Sequence, residues 1–222
     1  MIQGIFKYRK SRRLAEIEID GEVFDAYVSN GADMAFLKPG AVCYLREVDN
    51  PKRSTGFDLF SVYDQNTLVC VDAKEPLIVA RNWLDGKLRE ELTSNDIYFI
   101  ENTRSMYLSC GRRGQRDDIT IQIMGSSLVN DRTAYLPERQ SSALNQRLED
   151  VLRLKSLGHD ARLLIVVCRN DADGFSANAD ADPYFAHLFE EIANSGARVE
   201  CLRCTVNGDG MFADRLIPIE GL

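Results

Sequence analysis

Residues 163–206 read LLIVVCRNDADGFSANADADPYFAHLFEEIANSGARVECLRCTV, and this stretch decides the fold class of the chain around it. Leu163 to Cys168 is an unbroken apolar run, the pattern of a strand covered on both faces within an α/β sheet. Asp182-Pro183 then carries a helix start, with Asp182 as N-cap and Pro183 at the first helical position. Gly196 closes that helix, and VECLRCTV follows as a strand. Moving toward the N-terminus, a helix is expected over Ser142 to Leu157 with Gly158 at its C-terminal cap. Ahead of it lie the strands DIYFIEN (96–102), RSMYLSC (104–110) and ITIQIMGSSLV (119–129), and before those a helix, PLIVARNWLDGKL, from Pro76. Residues 76–222 therefore read as an α/β domain.

Before Pro76 the pattern changes. LAEIEI, EVFDAYV, AVCYLREV, FDLFSVY and TLVCVDA are short alternating or apolar runs, punctuated by Asp20-Gly21, Asn30-Gly31, Pro39-Gly40 and Asn50-Pro51. Five short strands at close turn spacing predict a small antiparallel barrel over residues 1–75. An OB-type barrel fits, and its strand face and loops commonly hold oligonucleotides; pattern alone does not separate it from another small barrel.

The chain has 222 residues, 45% hydrophobic and 27% charged, an ordinary globular composition without repeats or low-complexity tracts. Its longest strictly apolar run is far too short to cross a bilayer, and the N-terminal MIQGIFKYRK lacks the apolar core of a secretory signal. The expectation is a soluble, cytoplasmic protein. A net charge of −7 argues against a wholly basic nucleic-acid coat but leaves room for local basic clusters. The six cysteines are scattered through a chain large enough to build a core without staples, so they read as reduced thiols. Cys201 and Cys204 have CxxC spacing, yet an odd offset puts them on opposite faces of one strand.

Most routes to chemistry close on inspection. His159 and His187 have no Cys or His at ligand spacing. No Gly-rich phosphate loop is present, and Gly125-Ser126-Ser127 lacks the second glycine of a nucleophile elbow. Asp171, Asp173, Asp180 and Asp182 do not follow EF-hand spacing, and read as a solvated loop with a helix cap. Basic residues are more informative. Lys7, Arg9, Lys10, Arg12 and Arg13 form an acid-free cluster ahead of the first strand, and Arg46, Lys52 and Arg53 lie at the third strand and the loop after it. On an OB barrel these segments can line one side as a track for phosphates, with Tyr8 or Tyr44 as stacking platforms. A solvated arm and a charged hairpin tip are the equally weighted alternative.

Over almost its whole length the chain resembles the sugar fermentation stimulation (SfsA) proteins. The matching stretches are RRLAEIEIDGE, Asn50-Pro51-Lys52-Arg53, GHDARLLIVVCR and FSANADADPYFAHLFEEIANSGARVECLRCTV. The resemblance implies an N-terminal OB fold joined to an α/β domain like the PD-(D/E)xK nucleases, and a nucleic-acid-binding protein, of DNA above all, linked to regulation of sugar utilisation. In such a nuclease core an Asp ends one strand and an acid-x-Lys triplet lies on the next; the acids hold Mg²⁺ and the lysine positions or activates water. Here the first segment matches Arg104-Ser105-Met106, with Met106 at the Asp position, and the triplet reads Gln122-Ile123-Met124. A further acid falls at Ile97, and a Thr-Glu-Arg-Gly segment falls on Ser141 to Leu144.

The resemblance thus implies a binding protein with a disabled nuclease core, no catalytic residue and no resident cofactor. An alternative is a nuclease dependent on Mg²⁺ or Mn²⁺ that uses Asp117 and Asp118 as displaced acids, with Arg116 or Arg113 replacing the lysine. Arginine cannot serve as the base near neutrality. A third reading is an interaction scaffold, paired with a second copy or an active paralogue.

Overall fold

The computed structural model describes residues 1–30, 34–114 and 118–221. They form two compact units: Met1–Glu75 with Cys168–Asn170 and Thr205–Phe212, and Pro76–Val167 with Asp171–Cys204 and Ala213–Leu222. Two short later segments thus group with the first unit, where the pattern treats residues 76–222 as continuous. Among the described residues no helix is long and apolar enough to cross a membrane.

The first unit contains β1 (Ile2–Ser11), β2 (Leu14–Ile19), β3 (Glu22–Tyr27), β4 (Val42–Glu47), β5 (Phe57–Asp64) and β6 (Thr67–Cys70). The strand order is β3-β2-β1-β4-β5-β6, and an additional pairing of β3 with β5 closes the first five strands into a barrel. That closing seam is parallel and short, Ala26 opposite Phe57 and Tyr27 opposite Asp58. The far end of β5 turns instead to β6, from Ser61 opposite Cys70 to Asp64 opposite Thr67. Alternate residues point inward, so that Phe6, Ala15, Ile17, Ala26, Cys43, Leu45, Leu59 and Val62 fill the interior. Gly4 is required by close approach: a Cβ there would lie 2.7 Å from Cγ2 of Ile17.

The expected five strands are β2 to β6. Lys7 to Lys10, expected ahead of the first strand, instead belong to β1. Its register slips between Phe6 and Tyr8 and again between Arg9 and Ser11. These irregularities break the two-residue period by which a strand is recognised, and three cations in four residues hide the inward Gly4 and Phe6.

The rest of the chain contains α1 (Glu75–Glu91), β7 (Ile97–Asn102), β8 (Tyr107–Arg112), β9 (Ile119–Ser126), β10 (Leu128–Asn130), β11 (Thr133–Leu136), α2 (Ser142–Ser156), β12 (Asp160–Val167), β13 (Gly174–Ala177), α3 (Pro183–Asn194), β14 (Arg198–Val206) and β15 (Met211–Leu216). Its main sheet runs β15-β14-β12-β9-β8-β7, and a small sheet runs β10-β11-β13. β12 lies parallel between β9 and β14, which is why its residues after Asp160 are all buried. On one face of the sheet, Leu148 and Val151 of α2 and Phe185, Leu188 and Ile192 of α3 pack with Leu163, Ile165, Cys201 and Met124.

The helix ends follow the sequence reading. Ser141 Oγ accepts the Leu144 N–H at the start of α2, and Asp182 accepts the Phe185 N–H at the start of α3. Gly158 and Gly196 take φ of +83° and +72° after the C-caps. Asp182 also accepts from Ser141 N at 3.0 Å and Asn145 Nδ2 at 3.1 Å, so one buried carboxylate ties both helix starts together. Its burial pushes its pKa up, but these donors outweigh that and hold it below the ordinary range.

One expected strand is shortened. RSMYLSC enters β8 only at Tyr107; Arg104 to Met106 lie in the preceding turn, with Met106 at φ +57°. The expected strand ITIQIMGSSLV divides at Ser127 into β9 and β10, while β11, β13 and β15 carry no readable signal, because two are very short and β15 is almost wholly exposed.

On the sheet side of α1, Arg162 donates to both Glu91 oxygens, at 3.0 and 2.5 Å, and to Asp160. Arg198 joins Glu91 at 2.9 Å, and Lys87 reaches Glu200 at 3.2 Å. Hydrogen bonds from Arg162 hold both Glu91 and Asp160 below the usual carboxylate range.

Candidate functional site

On the barrel, most of the eight candidate cations are already paired. Lys7 Nζ lies 2.8 Å from Glu18, and this hydrogen bond raises the lysine pKa. Lys10 bridges Asp25 at 2.7 Å and Glu16 at 3.1 Å. Arg46 reaches Asp72 at 3.3 Å and Glu75 at 2.9 Å, and its guanidinium stacks 4.8 Å from the Phe60 ring centre. Arg53 pairs with Asp58, donates to Thr55 and lies over Tyr27. Arg9 bonds the carbonyl oxygens of Arg12 and Asn30, at 2.9 and 2.8 Å. Arg12, Arg13 and Lys52 are exposed. The acid-free cluster of the linear sequence is therefore not acid-free in space, because β1 pairs with β2 and β2 with β3, which carry Glu16, Glu18 and Asp25. Of the two candidate stacking residues, Tyr8 is half exposed with its hydroxyl 3.2 Å from Glu16, while Tyr44 leans on Tyr63.

In the second unit, the positions matched to the nuclease triad sit where β9 passes the Arg104–Met106 turn. Gln122 is buried, and its Nε2 donates to the carbonyls of Ser105 at 3.0 Å, Met106 at 2.8 Å and Ile123 at 3.2 Å. Met124, two residues on and so on the same face, is 1% exposed and belongs to the apolar core under α2 and α3. Met106 and Ile97 are buried as well. A thioether, an amide committed to backbone carbonyls and a second thioether do not suit a hard divalent ion, which asks for several carboxylate or carbonyl oxygens. Among the described residues no group of three His, Cys, Asp or Glu side chains is placed to hold a metal.

The displaced-acid candidates lie elsewhere. Asp117 and Arg116 fall outside the described residues. Asp118 precedes β9 and accepts from the Tyr98 hydroxyl. It stands four residues from Gln122, about 13 Å along a strand. Arg113 pairs with Asp96 at 3.1 Å. The acidic loop is also committed to structure: Asp173 meets Arg132, Arg203 and Arg215, and Asp182 caps α3. Both Cys201 and Cys204 are buried free thiols, and burial lifts the Cys204 pKa to about 12.

One residue missed in the sequence stands at the same turn. Arg147 of α2 is half-buried, and its Nη2 lies 3.5 Å from the Arg104 carbonyl oxygen. No carboxylate among the described residues pairs with it. A single arginine on an amphipathic helix carries no signal in sequence; its isolation is visible only once its neighbours are placed.

An OB-type barrel followed by an α/β unit whose central strands are parallel defines a two-domain class of protein. The chain belongs to the sugar fermentation stimulation protein family: residues 83–210 match the sugar fermentation stimulation protein RE domain and residues 8–71 the SfsA N-terminal OB domain. A sugar fermentation stimulation protein homolog of Methanobrevibacter smithii is 29% identical over 98% of this chain and 95% of its own length. That of Thermotoga maritima is 28% identical over 98% and 94%. The fold is also similar to that of Pyrococcus furiosus SfsA, solved in complex with Ca²⁺, with a TM-score of 0.86 and 17% identity over 99% of this chain and 95% of that one.

Proposed function

We infer that this family member binds nucleic acid without strong sequence preference and without cutting it, as a cytoplasmic protein acting in the regulation of sugar utilisation. The observation that carries the non-cutting half is the state of the triad positions: Gln122 spends its amide on the turn carbonyls and Met124 is core. Gln122 is an uncharged and poor Mg²⁺ ligand, Met124 is none, and neither takes a proton from water. The binding half is supported by exposed Arg12, Arg13 and Lys52 on an OB-type barrel, beside half-exposed Tyr8.

Because Lys7, Lys10, Arg46 and Arg53 already have carboxylate partners, they contribute less to phosphate than their number implies. The dependence of log affinity on log salt should correspond to about two phosphate contacts, those of Arg13 and Lys52, rather than eight. Fluorescence anisotropy with short labelled DNA across a salt series measures this. Arg13→Ala/Lys52→Ala is expected to lower the slope by about one to two. Absence of binding at low salt would refute nucleic-acid binding, and Mg²⁺- or Mn²⁺-dependent breakdown of DNA or RNA would refute the non-cutting half.

A further inference from the structure

We propose that the open edge of β7 is a dimer interface, pairing antiparallel with β7 of a second copy of this chain about a two-fold axis at Ile100. β7 ends the main sheet, and the phase of its ladder fixes which backbone groups are left over. Arg113 N–H donates to the Asp96 carbonyl, and Ile97 stands opposite Arg112. Asp96 and Arg113 are thus a hydrogen-bonded pair, and alternation makes Tyr98–Gly111, Ile100–Ser109 and Asn102–Tyr107 the next ones. The far side of β8 gives the same phase: Ile123 N–H donates to the Met106 carbonyl, which turns Leu108 and Cys110 toward β9 and leaves Tyr107, Ser109 and Gly111 for β7. Ile97, Phe99 and Glu101 therefore aim their N–H and C=O groups outward, and no backbone partner meets them there among the described residues.

Such an edge is a template for another strand unless charge, proline, a bulge or a covering segment blocks it. β15, at the opposite edge, carries Asp214 and Arg215. β7 reads IYFIEN, without lysine, arginine or proline, and its pairing with β8 runs without a register shift. Its Ile100 is 60% exposed. A second copy fits this edge because the edge complements itself. A ladder forms only in registers that set outward residues against outward residues, as a register centred on Ile100 does: Phe99 faces the partner's Glu101, and Glu101 the partner's Phe99. Ile100 then meets its own copy in the close, non-hydrogen-bonded pair on the axis, which covers the exposed apolar side chain. Arg81 of α1 stacks 4.9 Å from the Phe99 ring centre and lies 3.7 Å from Glu101 of its own chain. The pairing brings each Arg81 beside the partner's Glu101 as well, so opposite charges alternate across the axis. Centring on Phe99 instead would set Glu101 against apolar Ile97 and part Ile100 from its copy.

Analytical ultracentrifugation of the full chain from about 1 to about 100 μM tests this, and a monomer–dimer equilibrium is expected across that range. Ile100→Lys sets two ammonium groups against each other on the axis and should weaken the dimer at least about tenfold, with the circular dichroism unchanged because the position is exposed. Glu101→Arg should weaken it too, and adding Arg81→Glu should restore it. Ile100→Cys gives a positive readout, since a Cα separation of about 4.5 Å lies within disulfide reach. With oxidised glutathione as oxidant, taking up the two electrons and two protons that the paired thiols release, this variant should form a covalent dimer. The six native cysteines are buried, so the unaltered chain is the control. A monomer throughout the range, a dimer undisturbed by folded Ile100→Lys, or no cross-link in Ile100→Cys overturns the proposal. If Ile100→Lys does not fold, the cross-link decides in its place. A chain that stays monomeric but binds an IYFIEN peptide would assign the edge to a strand from another protein, and that also overturns the pairing of two copies.

Discussion

Gln122 and Met124 differ in how they replace the chemistry matched to them. Gln122 keeps a polar group and spends it inside the protein, on the carbonyls of Ser105 and Met106. Met124 gives up polarity altogether and fills space against α2 and α3. Reinstating a lysine there is therefore a packing insult before it is a catalytic gain. Met124→Lys places an ammonium in a wholly apolar cluster and is expected to destabilise the folded chain by about 3 kcal/mol or more, read by urea denaturation. An unchanged midpoint would mean that the lysine reaches a carboxylate or water that the present packing excludes. The identities at these positions were legible in the sequence, and so was their common face. What covers that face was not, because a two-residue period gives direction without naming the neighbour. Arg147 was illegible for the same reason, since only tertiary placement distinguishes a solvated cation from an isolated one.

At the scale of elements, punctuation proved more legible than periodicity. Asp182-Pro183, Gly158 and Gly196 each mark a helix boundary found in the structure, because cap geometry is local and depends on few residues. β1 escaped notice because its two register slips break the two-residue period and Lys7, Arg9 and Lys10 mask its inward residues. The grouping of cations on it misled for a related reason: β2 and β3 supply the acids that neutralise Lys7 and Lys10. The attachment of α1 to the sheet is likewise a tertiary fact, written in Glu91, Asp160 and Arg162. Glu91 and Asp160 titrate below their ordinary values when folded, so the unfolded chain takes up protons first as pH falls. Their contribution is fully present above their unfolded pKa values and is lost as pH drops through the lower folded values, a window opening near pH 4. Stability measured by denaturant between pH 7 and pH 3 should fall across that window, and Glu91→Gln should reduce the dependence. A Glu91→Gln profile parallel to that of the unaltered chain would show that the ion pairs do not set it.

Across the whole molecule, the net charge of −7 is the sum of surfaces in which most cations already face acids. Any affinity of the barrel for phosphate therefore depends on exposed cations without a carboxylate partner among the described residues, Lys52 and Arg13 among them. The barrel's own closure carries a different consequence. Of its five strands, short turns join only β1 to β2 and β2 to β3; the β1-β4 pairing and the seam both link stretches distant in sequence, and at the seam Ala26 and Tyr27 meet Phe57 and Asp58 while Phe24 stands edge-on to Phe57 at 5.4 Å. Bringing those two stretches together fixes a long loop for the return of only two paired residues, so the entropy is spent before the contacts repay it. The β1-β2-β3 meander can form from neighbours alone and the seam only afterwards, which makes the seam the late event of folding and the early event of unfolding. Trimming it with Phe57→Leu should accordingly raise the unfolding rate and leave the refolding rate nearly unchanged in stopped-flow measurements.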